Sequence, residues 1–235
     1  MLEKWKNRWT VRKFDTKFIP DKNQIAQLAD VIQYIPSQLG AVDHVWCLLN
    51  PDDQELKDWL VHNIYYTDDD YKQHREYFSA LRDAPYMFFS FQLKVPMYFF
   101  DMLTPEQENT IKIPKTNEVV RNNAFHAGIL VCETLQMGLN ACQIACTDGW
   151  HANQNTLDEK IANKIWYRYG DSLEQISVTF NDTVINFEKE MIGRPLISVG
   201  IGKGIPNTTH SFSPYKDGVT FTGQKAKKWF NNVVM

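Results

Sequence analysis

The sequence predicts an α+β fold in a single domain. Three observations carry that expectation: apolar runs of strand length at "HVWCLLN" and "APYMFFSFQL", segments of helical period between and after them, and two alternating runs meeting at Asn181 and Asp182. The 235 residues suffice for a large core. No internal repeat and no linker rich in Ser, Gly or Pro divides them, so residues 1–235 are expected to form one domain.

The elements follow in order. After a basic opening, "IPDKNQIAQLADVIQYIP" places Ile25, Leu28, Ala29 and Ile32 at helical spacing, between Pro20 and Pro36. "HVWCLLN" reads as a buried strand closed by Asn50 and Pro51, and "DDQELKDWLVHNI" as a helix whose acidic first turn suits the helix dipole. "APYMFFSFQL" is a second apolar strand. Residues 96–117 mix aromatics with proline breakers and show no period, which predicts an excursion or lid over the core. "NEVVRNNAFHAGILVCETLQMGL" is the longest helical pattern, apolar on most faces from Ala124 to Leu135, and predicts a central buried helix stopped at Gly138. "NACQIAC" is expected as a short inner strand. "TLDEKIANKIWYRYG" predicts a further helix, "QISVTFNDTVINFEKE" a hairpin, and "RPLISVGIGKG" a last core strand; the tail "TGQKAKKWFNNVV" is basic, then apolar.

Composition limits the function. A net charge of -3 lacks the strongly basic balance by which proteins displace counterions from nucleic-acid phosphates, so no nucleic-acid partner is expected. The segment "MLEKWKNRWTVRKF" has no continuous apolar stretch of a secretory signal, and no run of ~20 apolar residues occurs to span a bilayer. A soluble, cytoplasmic protein without a membrane partner is the expectation. Cys47, Cys132, Cys142 and Cys146 sit in apolar surroundings and read as small hydrophobes. The spacing of Cys142 and Cys146 is not that of a paired zinc or redox site, and no metal is expected.

The stretch "NRWTVRKFD" concentrates cations and a hydroxyl at Arg8, Thr10 and Arg12 around Trp9. A solvated helix end accounts for such a cluster; so does a cradle for an anion, since charge-assisted donors converging from several directions are what a phosphate requires.

Taken in order, "RWTVRKFD", "IPSQLG", "DAPYMFFSF", the long helix ending in "QMGLNACQI", "TDGW", "RPLISVGIGKG" and the basic tail resemble the nitroreductase family of flavin enzymes. The resemblance spans most of the chain. It implies a central, mostly antiparallel or mixed sheet flanked by helices, an intertwined homodimer, and FMN as cofactor. It also implies that Arg8, Thr10 and Arg12, with Lys225 and Lys227, hold the phosphate and ribityl chain, with Trp9 between the basic positions. Under the resemblance Arg12 would also face N1 and O2 of the ring, where a cation stabilises the reduced flavin. Ser37 would hydrogen-bond the cofactor, or alternatively mark only a helix-terminating turn. Asp148 and Gly149 would present backbone and carboxylate at the flavin edge that receives hydride, whereas an ordinary Asp-Gly turn is the other account of "TDGW".

The activity so implied is transfer of hydride from NADH or NADPH through flavin N5 to a small organic acceptor, nitroaromatic or quinone-like. Gly40 and Val42 stand where family members often carry an asparagine and a glutamine, and Trp9 replaces a usually small or polar residue. These departures favour the alternative, a flavin-binding protein with little or no turnover. His126, on a mostly apolar helix, reads as a hydrogen-bonded core residue rather than an acid–base group.

Overall fold

In a computed structural model, residues 11, 13–36, 41–65, 80–98, 116–145, 154–180 and 183–205 are described. Helix α1 (Lys22–Tyr34) opens on Asp21, whose carboxylate accepts from the Asn23 amide at 2.8 Å, and stops at Ile35 because Pro36 follows. Its buried face is Ile25 and Leu28, two of the four positions picked out by the period. Strand β1 (Ala41–Leu49) runs into Asn50, which caps a single 3₁₀ turn, Pro51–Asp53, before helix α2 (Gln54–Tyr65). The cap is reciprocal: Asn50 Oδ1 accepts from the Asp52 amide, and Asp53 Oδ2 accepts from the Asn50 amide.

Strand β2 (Tyr86–Tyr98) is longer than its apolar run, so the predicted excursion at 96–117 starts on a strand. Helix α3 (Thr116–Gln136) likewise reaches into its far end, and the stretch between lies outside the described residues. After α3 the chain reverses at Gly138, whose φ of 78° suits a residue without a β-carbon. Strand β3 (Asn140–Ala145) leads to helix α4 (Gln154–Leu173); a hairpin of β4 (Ser177–Phe180) and β5 (Thr183–Asn186) follows, then strand β6 (Ile192–Gly202). The hairpin pairs Phe180 with Thr183 across Asn181 and Asp182, as the alternation predicts, but as a separate two-stranded sheet.

The main sheet has the order β1-β2-β6-β3, with every pairing antiparallel. Two expectations are corrected here. "NACQIAC" forms an edge strand of the described sheet and not an inner one, because only β6 pairs with it. Helix α3 is buried on one side only: Val120 and Phe125 are exposed, and its buried residues include the polar Asn122, Asn123, His126 and Thr134.

Period-two alternation divides the core. On one face Cys47, Leu49, Met87, Phe89 and Phe91 pack against Leu60, Val61, Ile161 and Ile165 of α2 and α4. On the other, Tyr86, Phe88, Val199 and Ile201 pack against Ile25 and Leu28 of α1 and Ala127 and Leu130 of α3. Each buried phenylalanine contributes on the order of 2 kcal/mol through lost apolar surface. Among the described residues no helix is long and apolar enough to cross a membrane.

The early segment is strapped to the end of β6. Phe14 bridges to Gly204; the Asp15 amide donates to the Lys203 carbonyl at 2.8 Å, and the Ile205 amide to the Lys13 carbonyl at 2.8 Å. Phe14 is buried against Gly202, where a β-carbon would stand 2.9 Å from Phe14 Cδ1 and 2.7 Å from Pro85 Cδ. Asn140 Oδ1 accepts from the Gly204 amide at 2.9 Å, tying the start of β3 into the same corner.

Candidate functional site

The residues expected to hold a cofactor all lie outside the described residues: Arg8, Trp9, Thr10, Arg12, Ser37, Asp148, Gly149, Lys225 and Lys227. Their neighbours in sequence are described. Val11, fully buried, and Lys13, exposed, flank Arg12 at the strap; Pro36 precedes Ser37; and Ala145 ends β3 three residues before Asp148. Gly40 falls outside as well, and Val42 pairs with Met97 through its backbone.

The strap has a consequence for charge. Lys13 and Lys203 are exposed where the two segments meet, and Lys17 lies just beyond on the turn after Asp15. Lys203 Nζ sits 5.5 Å above the Phe18 ring. Ile205, held by Lys13, is the last described residue before the segment that carries Lys225 and Lys227. A basic corner at the junction of the first and last segments suits a phosphate.

Midway along β6 the register aligns Ala145 with Ile197, and on the neighbouring strands Trp46 with Ser90. Ser90 Oγ accepts from the Ile197 amide at 3.0 Å and lies 3.0 Å from Asn123 Oδ1, joining sheet to helix. Ile197 and Gly204 are separated along β6 by roughly 20 Å at the usual strand rise of about 3.3 Å per residue. FMN is itself extended, with a phosphate at one end and a ring at the other. Lys13, Lys17 and Lys203 give the strap end charge that suits a phosphate, while Ser37 and Asp148, expected at the ring end, lie outside the described residues.

The sheet face under α3 holds a buried polar chain. On β1, Asp43 is 2% exposed; its Oδ1 lies 2.5 Å from His44 Nδ1, and its Oδ2 accepts from Asn122 Nδ2 at 2.6 Å. His44 Nε2 is 3.2 Å from His126 Nδ1, with the rings edge to face at 4.7 Å. The far nitrogen, His126 Nε2, meets no side-chain partner at hydrogen-bonding geometry. Burial, with the neighbouring His44, pushes the His126 pKa down to about 4, opposed in part by Asp43 and by the backbone of Pro36. The proximity of Pro36 puts the chain beside the segment entering Ser37. His126 is thus buried and hydrogen-bonded, as expected, but as the end of a chain. The missed signal was the pair Asp43-His44 interrupting an otherwise apolar strand.

Elsewhere the polar groups are structural. Asp53 is held by Arg168 Nε and by the Tyr169 hydroxyl, and Lys57 is buried with Nζ donating to the Ala84 and Pro85 carbonyls. Burial pushes the Cys47 thiol up to about 12, so Cys47 is inert filler. An open cleft of about 200 Å³ between α2 and α4 is lined by Glu55, Trp59, Lys164 and Tyr167 among others. It lies on the sheet face away from the histidine pair.

No protein-family model and no curated protein matches the sequence. Solved structures do match the fold. A BluB-like flavoprotein from Clostridium difficile 630 superposes with a TM-score of 0.56 at 15% identity, over 93% of this chain and 94% of that one. A nitroreductase with bound FMN from Bacteroides fragilis NCTC 9343 gives 0.55 at 15% identity, over 93% and 95%. An FMN-dependent nitroreductase from Clostridium difficile R20291 gives 0.53 at 12% identity, over 92% of each. The basic corner, the antiparallel sheet and the helices on its two faces are thus arranged in a nitroreductase-like fold.

Proposed function

We propose that the protein is an FMN-dependent oxidoreductase that takes hydride from NADH or NADPH and delivers electrons to a small organic acceptor, nitroaromatic or quinone-like. The observation that carries this reading is the meeting of the first and last segments at the strap, on a fold shared with FMN-bound nitroreductases. Arg8, Thr10 and Arg12 on one side, and Lys225 and Lys227 on the other, would then hold the phosphate and ribityl chain by charge-assisted hydrogen bonds. Trp9 would cover or stack beside them. Arg12 would also reach the ring, and Ser37 would bond its edge. FMN supplies the hydride-accepting N5 when bound.

For the chain's own residues, the work is binding, orientation and exclusion of water. Asp148 and Gly149 would position the ring edge, with Gly149 allowing close approach of the backbone. A homodimer completes the proposal: Val120 and Phe125 are exposed apolar side chains on α3 that a second copy would cover. The test is spectroscopic. Purified protein loaded with FMN should show flavin absorption that bleaches on anaerobic addition of NADH or NADPH and returns with a quinone. Flavin that binds but is never reduced would establish a binder without turnover, the outcome favoured by Gly40 and Val42. Absence of binding would defeat the proposal.

A further inference from the structure

The cleft between α2 and α4 is lined by chemistry that the proposed reaction does not use. Its volume of about 200 Å³ lies below the roughly 300–1,000 Å³ of drug-sized sites, which sets the scale of an occupant at a single amino acid. Glu55 and Trp59 stand one turn apart on α2, and Lys164, Tyr167 and Arg168 share one face of α4, so each helix turns a set of side chains to the opening. Trp59 packs against the core and shows its ring to Lys164, whose Nζ lies 5.5 Å from the ring centre. Tyr167 is 92% exposed, an aromatic side chain held at the rim.

The charges are sorted by wall. Asp52 and Glu55 bring carboxylates to the α2 side, while Lys164 and Arg168 bring cations to the α4 side. Among the described residues a single ion pair joins the two walls, from Arg168 Nε to the buried Asp53, which the Tyr169 hydroxyl also holds. Asp52, Glu55 and Lys164 are exposed and stand outside that pair. Opposite charges therefore line the two sides of the cleft without closing it, as expected where an exposed pair is worth little.

We propose that this cleft is a binding site for an apolar α-amino acid in its zwitterionic form. The ligand's ammonium meets Asp52 and Glu55, its carboxylate meets Lys164 and the outer edge of the Arg168 guanidinium, and its side chain lies on Trp59 beside Leu56 and Tyr167. A simple anion would face the two carboxylates unpaired, and a simple cation would face Lys164 and Arg168; a dipolar ligand satisfies both walls. The site is on the sheet face opposite α1 and α3, so it stands independently of FMN and of the oxidoreductase reading.

The probe is L-phenylalanine, titrated by NMR into the full chain with the Trp59 indole N–H as reporter. Hydrocinnamate, which lacks the ammonium, and phenethylamine, which lacks the carboxylate, are titrated beside it. L-Phenylalanine should shift the Trp59 signal saturably, and each analogue should bind about tenfold or more weakly, the scale of a lost hydrogen bond to a charged group. Exposed side chains carry the variants, so the fold should survive them. Lys164→Gln should narrow the advantage of L-phenylalanine over phenethylamine and leave that over hydrocinnamate. Asp52→Asn combined with Glu55→Gln should do the reverse. No saturable shift, an analogue that binds as tightly as L-phenylalanine, or variants that leave both ratios unchanged would overturn the site. The titration needs no flavin, so a chain that binds no FMN defeats the oxidoreductase reading and leaves this one standing.

Discussion

The Ile205 amide donates to the Lys13 carbonyl at 2.8 Å, so a residue near the start of the chain is bonded directly to one beyond the last strand. Arg12 precedes one partner, and the segment carrying Lys225 and Lys227 follows the other. The two basic segments themselves lie outside the described residues. If they close on the FMN phosphate, Arg8→Ala should weaken FMN binding by about 1.5–3 kcal/mol, the usual cost of a lost hydrogen bond to a charged group. Fluorescence titration measures it, and unchanged affinity would count against the clamp.

The strap depends on Gly202. A methyl group there would press on Phe14 and Pro85 at separations that demand movement. Gly202→Ala should therefore cost about 1–3 kcal/mol of stability, as overpacking does. It should also lower FMN affinity by displacing Phe14 and the segment before it. Urea denaturation with parallel FMN titration tests both; a loss of stability with full affinity would separate the strap from the clamp.

His126 predicts a pH dependence of a definite sign. Its folded pKa of about 4 lies below the usual histidine value of about 6.5, so the unfolded chain binds the proton more readily. The stability due to neutral His126 is complete above about pH 6.5 and is lost as pH falls toward about 4. Between pH 7 and pH 5 this amounts to about 2 kcal/mol. His126→Gln should flatten the dependence, which denaturant midpoints at the two pH values would show.

Phe125 is 53% exposed on α3, and Val120 is 40% exposed on the same helix. A charge at such a position would be costly in a buried interface. If a second copy covers α3 as proposed, Phe125→Asp should give a monomer in sedimentation at micromolar concentration where the parent is a dimer, and FMN affinity should drop with it. A variant that stays dimeric would place the interface elsewhere.

Much of the fold was legible because its determinants are local. Asp21 and Pro36 bracket α1, Asn50 caps the turn before α2, and the alternation around Asn181 and Asp182 gives the hairpin register. Longer-range facts were not. Whether "NACQIAC" lies inside a sheet or at its edge is decided by β6, some fifty residues later, and nothing in the strand itself encodes it. The polar face of α3 was hidden for a related reason. Asn122 and His126 look misplaced on an apolar helix until Asp43 and His44 arrive opposite them from β1. Of the candidate site, the basic motif is proposed from residue type alone, since clustered cations suggest an anion in any fold, and Arg8, Thr10 and Arg12 lie outside the described residues. The histidine chain could not, because its chemistry exists only once two elements meet.

The bridge between Phe14 and Gly204 also bears on how the protein reaches its native state. It closes a loop of almost the whole chain, the kind of contact that raises contact order and forms late. During synthesis, β6 leaves the ribosome long after Phe14, which must wait for its partner. If FMN is clamped at that junction, acquisition of colour should trail collapse of the core in refolding, and bound flavin would report completion of the chain's longest closure rather than the appearance of its sheet.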